Sequence, residues 1–234
     1  MVSLAREKFI VLDVEGQSSC RPYNVGYIIA DRTGKIYKKR SIALPECFFE
    51  NLNDAIRTGI CVEMHHKNIE EITADFNALK CKRKYLSLGI NEFFKMFEKD
   101  VKKNNIKKMY AYNITFDRCA LERLFGDRFN DFNFDFRDIV TGVLNTRLLT
   151  IKYLNFCKEN NYITDKGNFQ YKAEIVYRYL TGLKDFIEEH TGLSDVLIEY
   201  EILLSVFKTR KYTNWKPTQA WLILKKFADK NNFI

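Results

Sequence analysis

Chain breakers are scarce here. Three prolines and ten glycines are spread over 234 residues, and no serine- or glycine-rich stretch marks a linker, so residues 1–234 read as a single domain. Neither an internal repeat nor a low-complexity segment is present, which excludes repeat architectures. No apolar run approaches the length that crosses a bilayer, and the N-terminus has no signal-peptide pattern, so a cytoplasmic protein without a membrane partner is expected. The six cysteines include no Cys-x-x-Cys pair, which argues against a zinc ribbon. Cys47, Cys119 and Cys157 lie among apolar residues and are expected as small core side chains, reduced as suits a cytoplasmic compartment. Cys61, His65, His66 and Cys81 form one loose group in which a structural zinc stays open.

Positive charge is in excess. The formal net charge is +8, a balance that favours a nucleic acid as partner because binding releases counterions. The lysines and arginines cluster at 35–40, 80–84 and 102–108. Each cluster taken alone reads as a solvated face. The bias towards Lys, Asn, Ile, Phe and Tyr is also that of an A+T-rich genome.

Four carboxylates and one histidine carry the chemistry. Phe9-Ile10-Val11-Leu12 is a continuous apolar run, the pattern of a strand covered on both faces, and it leads into Asp13-Val14-Glu15-Gly16. Alternation along a strand puts Asp13 and Glu15 on one side, where both can bind the same metal. Residues 108–113 predict a second strand, followed by a helix over about 116–125. In that helix Phe116, Ala120 and Leu124 fall at helical spacing, with Leu121 and Phe125 widening the stripe. Asn113 or Thr115 is a candidate cap, which places Asp117 in the first turn at the mouth of the sheet. Alone, an acid there would only complement the helix dipole.

Residues 183–190 and 193–207 read as two helices broken at Thr191-Gly192, with the glycine suited to a C-terminal cap. Asp195 falls in the first turn of the second helix, in line with Ile198 and Ile202, on an apolar flank where an unpaired acid is costly. His190 lies just across the turn. A lone histidine at a helix C-terminus is usually a dipole partner, but the acid five residues on and the paired acids upstream give this one a catalytic reading.

Taken in order, Asp13-x-Glu15, Asn113-x-x-x-Asp117 and His190-x-x-x-x-Asp195 resemble the motifs of the DEDDh (DnaQ-like) 3′–5′ exonucleases. The resemblance spans residues 9 to 207. Gly16 stands where many members carry threonine, which bears on how the terminal nucleotide is held, and Gly192 where many carry alanine. The resemblance implies an α/β, ribonuclease-H-like fold, a mixed β-sheet flanked by α-helices. It implies two divalent cations, Mg²⁺ or Mn²⁺ given the hard oxygen ligands. One would be held by Asp13, Glu15 and Asp195 beside the attacking water, the other by Asp13 and Asp117 beside the leaving 3′ oxygen. His190 would take the proton from the water. The substrate would be a nucleic acid with a free 3′ end, DNA and preferably single-stranded, releasing nucleoside monophosphates. Gly16, Tyr112, Asn113 and Phe116 are candidates for holding that end, and Tyr112, Phe116 and Tyr23 for stacking on a base, although in a chain this rich in aromatic residues each of the three reads first as core.

The remaining layout agrees. Strands are expected at 9–14, 25–30 and 36–43, the last two joined by a turn at Arg32-Thr33-Gly34, with another near 134–136. Helices are expected around 91–103, 151–159 and 173–180. An insert at about 44–89 and a helical C-terminal extension at about 208–234 match no element of the resemblance. Two rivals stand beside the DNA exonuclease: an exoribonuclease trimming RNA or short oligonucleotides, and a binding module for nucleic acid or protein on a nuclease fold. Nothing in the motifs separates DNA from RNA. Four costly carboxylates argue against the binding module.

Overall fold

The apolar run that opens the chain becomes the centre of a sheet. Phe9–Gly16 (β1) sends Phe9 and Val11 into one hydrophobic core and Ile10, Leu12 and Val14 into another, one on each face. In the computed structural model, which describes residues 6–16, 22–47, 74, 85–188, 191–212 and 214–233, β1 pairs antiparallel with Pro22–Ala30 (β2). β2 in turn pairs antiparallel with Ile36–Ala43 (β3). Leu86–Ser87 (β4) runs parallel to β3. On the other side of β1 lie Lys108–Ala111 (β5) and Asp135–Asp138 (β6), both parallel to it. The order is β4-β3-β2-β1-β5-β6, a mixed sheet in which β2 alone runs against the rest.

Helices cover both faces, as a sheet buried on both sides requires. Ile90–Asn104 (α1) and Ile114–Phe125 (α2) pack on the Ile10 face through Phe93, Phe97, Leu121 and Phe125. The Phe9 face carries five helices among the described residues. They are Ile139–Val143 (α3), continued by a wider turn over Leu144–Leu148, then Ile151–Glu159 (α4) and Ala173–Thr181 (α5), and finally Gly192–Phe207 (α6) and Ala220–Lys230 (α7). The C-terminal extension is therefore helical over α7, which enters the core through Ala220, Leu224 and Ala228. Among the described residues no helix is long and apolar enough to cross a membrane. Most of the insert, including the Cys61, His65, His66 and Cys81 group, lies outside the described residues, as does His190.

Part of the first basic cluster is structural. Lys38 and Arg40 both pair with the buried Asp100, which also accepts a hydrogen bond from Tyr27 Oη at 2.9 Å. These two cations hold β3 to α1 and are spent there.

Two expectations fail at one place. Residues 183–188 are not helical: α5 ends at Gly182 with φ 76°, and Leu183 and Ile187 are exposed. Gly192 is the first residue of α6 and not the end of a preceding helix, with Thr191 at the cap position. The reason for glycine here is close approach. A Cβ on Gly192 would stand 2.5 Å from Gly26 N, and one on Gly26 would stand 2.0 Å from Gly192 C and 2.3 Å from Leu193 N. No side-chain rotation relieves a clash between backbones, so alanine does not fit where many of the resembled enzymes carry it. Gly26→Ala should lower the melting temperature by roughly 5–10 °C, since overpacked sites lose about 1–3 kcal/mol and more where a helix must move. A melting temperature of Gly26→Ala equal to that of the wild type would show that α6 is not pinned by this contact.

Candidate metal centre

Alternation along β1 continues past the apolar run, so Asp13 and Glu15 share the face of Phe9 and Val11 and look towards α6. On β2 the same face carries Asn24 and Gly26. Asn24 Oδ1 accepts the Gly192 N–H at 2.8 Å, while its Nδ2 donates to Ile42 O at 2.7 Å. This buried asparagine and the Gly26–Gly192 contact fix the N-terminus of α6 over the sheet. Asp195, in the first turn of α6, is thereby brought to the β1 acids. Oxygens from Asp13, Glu15 and Asp195 all lie within 4.8 Å of one another.

Asp117 completes the expected carboxylate set from the other side. Pairing between β1 and β5 covers Ile10 and Val11, and further along the strand Asp117 Oδ1 accepts the Val14 N–H at 3.0 Å. Asn113 occupies the cap position of α2 but makes no side-chain cap bond. Instead the Ile114 N–H is taken by Asp138, which also accepts from Thr141 N at 2.9 Å and Thr141 Oγ1 at 2.6 Å. Asp138 is therefore a buried strut joining the starts of α2 and α3.

Two further acids line the same cavity, of about 230 Å³, with Asp13, Glu15, Asp117 and Asp195: Glu188 and Glu199. Glu199 is buried and accepts the Tyr112 N–H at 3.2 Å. Its signal was present in the sequence, because it stands four residues after Asp195 and so on the same helical face. Glu188 precedes α6 in an irregular segment whose conformation no periodicity announces.

The electrostatics are those of carboxylates forced together. Burial, followed by the charges of Glu199, Glu15, Asp117 and Asp195, holds the Asp13 carboxyl well above the usual range. Burial raises Asp117 too, against the backbone N–H groups that favour its ionised form. Asp195 is pushed up to about 9 by burial and by the charges of Glu188 and Glu15. Glu199 is raised by burial, Asp117 and Asp195. Asp13 Oδ2 is closed off from solvent and has no hydrogen-bond partner among the described residues. Like charges in a buried site either take up protons or need a cation. An all-oxygen donor set with one orphaned carboxylate oxygen fits a hard divalent ion.

Of the expected substrate contacts, Tyr112, Asn113 and Phe116 line this cavity. Gly16 ends β1 at a register shift. Tyr23 is only 1% exposed, so its ring is a core residue and stacks on no base. Cys47 and Cys157 are buried as expected, whereas Cys119 is half-buried. No protein-family model matches the chain, and no curated protein matches it in sequence.

Proposed function

We propose that this chain is a metal-dependent 3′–5′ exonuclease of the DEDDh kind, hydrolysing phosphodiester bonds at the 3′ end of DNA and working in the cytoplasm. One observation carries the reading: four carboxylates, predicted in order from sequence, line one cavity in which Asp13 Oδ2 is buried and unpartnered. A central strand delivering two acids towards a helix that carries a third supports the ribonuclease-H-like assignment.

Asp13, Glu15, Asp117 and Asp195 would hold the cations. Divalent ions bound there supply charge neutralisation at the phosphate and a more acidic attacking water. Glu199, fixed by the Tyr112 N–H, adds negative charge on the side of Asp195 and would strengthen the hold of that half of the site on a cation. His190, outside the described residues, is the proposed proton acceptor. Asn113 and Phe116 border the cavity from the N-terminal end of α2 and are proposed to hold the terminal nucleotide.

The deciding experiment is turnover of 5′-labelled single-stranded DNA and RNA side by side, in Mg²⁺ and in EDTA. A ladder descending from the full length is expected in Mg²⁺ only. A 3′-blocked strand and a closed circle should both resist. Efficient cutting of the circle would replace the exonuclease with an endonuclease, and equal rates in EDTA would remove the metal.

A further inference from the structure

Beside the acidic cavity lies a larger one, of about 890 Å³, which shares Tyr112, Asn113, Ala173 and Glu188 with it. Its size is near the top of the range for sites that enclose a small organic ligand. Its walls come from parts of the chain that the four acids do not use. One wall is the hairpin closed by the bridge between Ile163 and Phe169, tightened by the Thr164 N–H bond to Asn168 O at 2.9 Å. The other is the start of α7.

The hairpin and the irregular segment leaving it present Asn168, Gln170, Tyr171 and Lys172 to the cavity, and α7 presents Trp221. Trp221 is 41% exposed, although its neighbour Ala220 and also Leu224 and Ala228 on the same helix are buried. The helix is thus anchored by one face and offers an indole on another. The hairpin wall is tied to the end of β5, where the Tyr112 hydroxyl donates to Tyr171 O. An exposed aromatic plane, two side-chain amides and an exposed lysine make the chemistry that an unpaired nucleotide uses. The ring offers stacking, the amides read base edges, and the ammonium meets a phosphate.

We propose that this cavity is a binding site for unpaired nucleotides of a single-stranded polynucleotide, with Trp221 as the stacking platform, next to the bond held over the acids. The inference rests on the exonuclease reading for what the neighbouring cavity does. It gives the expected preference for single strands a place in the fold: a base in a duplex is stacked and paired and cannot turn its face to Trp221, so single strands are bound and duplex ends must fray first.

The test compares two substrates and one binding measurement. The p-nitrophenyl ester of thymidine 5′-phosphate offers a phosphodiester without a neighbouring nucleotide, whereas an oligothymidylate fills both cavities. Trp221→Ala should raise KM for the oligothymidylate roughly 5- to 100-fold, the worth of one base–aromatic stack. It should leave the rate on the small ester and the melting temperature unchanged, and Trp221→Phe should recover most of the loss. In EDTA, fluorescence anisotropy of a labelled oligothymidylate should show the same weakening. If the wild type hydrolyses neither substrate, the exonuclease reading falls, and the anisotropy comparison alone then decides for or against this site. Unchanged KM and unchanged anisotropy in Trp221→Ala, or equal losses on both substrates, would overturn the proposal.

Discussion

Asp13→Asn should give a folded protein with no measurable turnover of polynucleotide in Mg²⁺, and with higher stability than the wild type when metal is absent. Both halves follow from one geometry. Asp13 lies among Glu15, Asp117, Asp195 and Glu199, and Oδ2 is buried without a partner. Removing its charge deletes the carboxylate that every metal in the site would share, and it also relieves repulsion on the others.

The pH dependence has a definite sign. Asp13, Asp117, Asp195 and Glu199 all have folded-state pKa values above the ordinary carboxylate range, with Asp195 at about 9. Groups raised in this way bind more protons folded than unfolded. The metal-free protein therefore loses stability as pH rises from the unfolded carboxylate range near ~4 towards about 9, where Asp195 gives up its proton. Calorimetry in EDTA should show the wild-type melting temperature falling across that window, and Asp13→Asn should flatten the fall. Mg²⁺ at about a hundred times its dissociation constant should stabilise the wild type by about 2.7 kcal/mol, or roughly 5–10 °C. The variant should gain little. Comparable turnover by folded Asp13→Asn, or the same Mg²⁺ increment in both proteins, would sink the metal centre.

How much of this was readable beforehand depends on the range of the interaction behind each feature. β3 and α4 were legible at their true bounds, since Ile36–Ala43 follows a short turn and Ile151–Glu159 has a strong helical stripe. The pairing of Asp13 with Glu15 was legible because period-two alternation is local. Glu199 was legible in principle by the same local logic, four residues from Asp195, but an acid inside an apolar run is easily passed over. Gly192 was misread because its reason is Gly26, far away in sequence, and no local pattern encodes a strand pressing on a helix N-terminus. The 183–190 segment failed for a related reason. Leu183, Phe186 and Ile187 have helical spacing, yet Leu183 and Ile187 are exposed, whereas Phe186 packs on the Tyr177 ring at 4.7 Å and Arg178 Nε binds its carbonyl at 2.7 Å. Tertiary contacts consumed the backbone group that a helix would have used. Tyr23 is core, the reading favoured beforehand because aromatic residues make up 15% of this chain and most of them are needed for packing.

His190→Ala should lose rate by roughly 10²–10⁴-fold at saturating Mg²⁺, the usual worth of general-base catalysis. The residues flanking it, Glu188 and Asp195, both line the acidic cavity, and it is the only histidine outside the Cys61–Cys81 region of the sequence. An imidazole with an unperturbed pKa near ~6.5 is available as a base above that value and lost below it, so the wild-type rate should rise with pH through the histidine range. With metal bound, the neighbouring carboxylates stay ionised across that range and contribute no competing inflection. His190→Gln keeps hydrogen-bonding capacity but cannot carry the proton away, so it should be about as slow as alanine and should lose the inflection. The Mg²⁺-induced rise in melting temperature should survive in both variants, because the histidine is proposed as a proton acceptor and not as a ligand. Near-normal rates in both, with only a lower melting temperature, would make His190 a structural residue and leave the attacking water to be deprotonated without it.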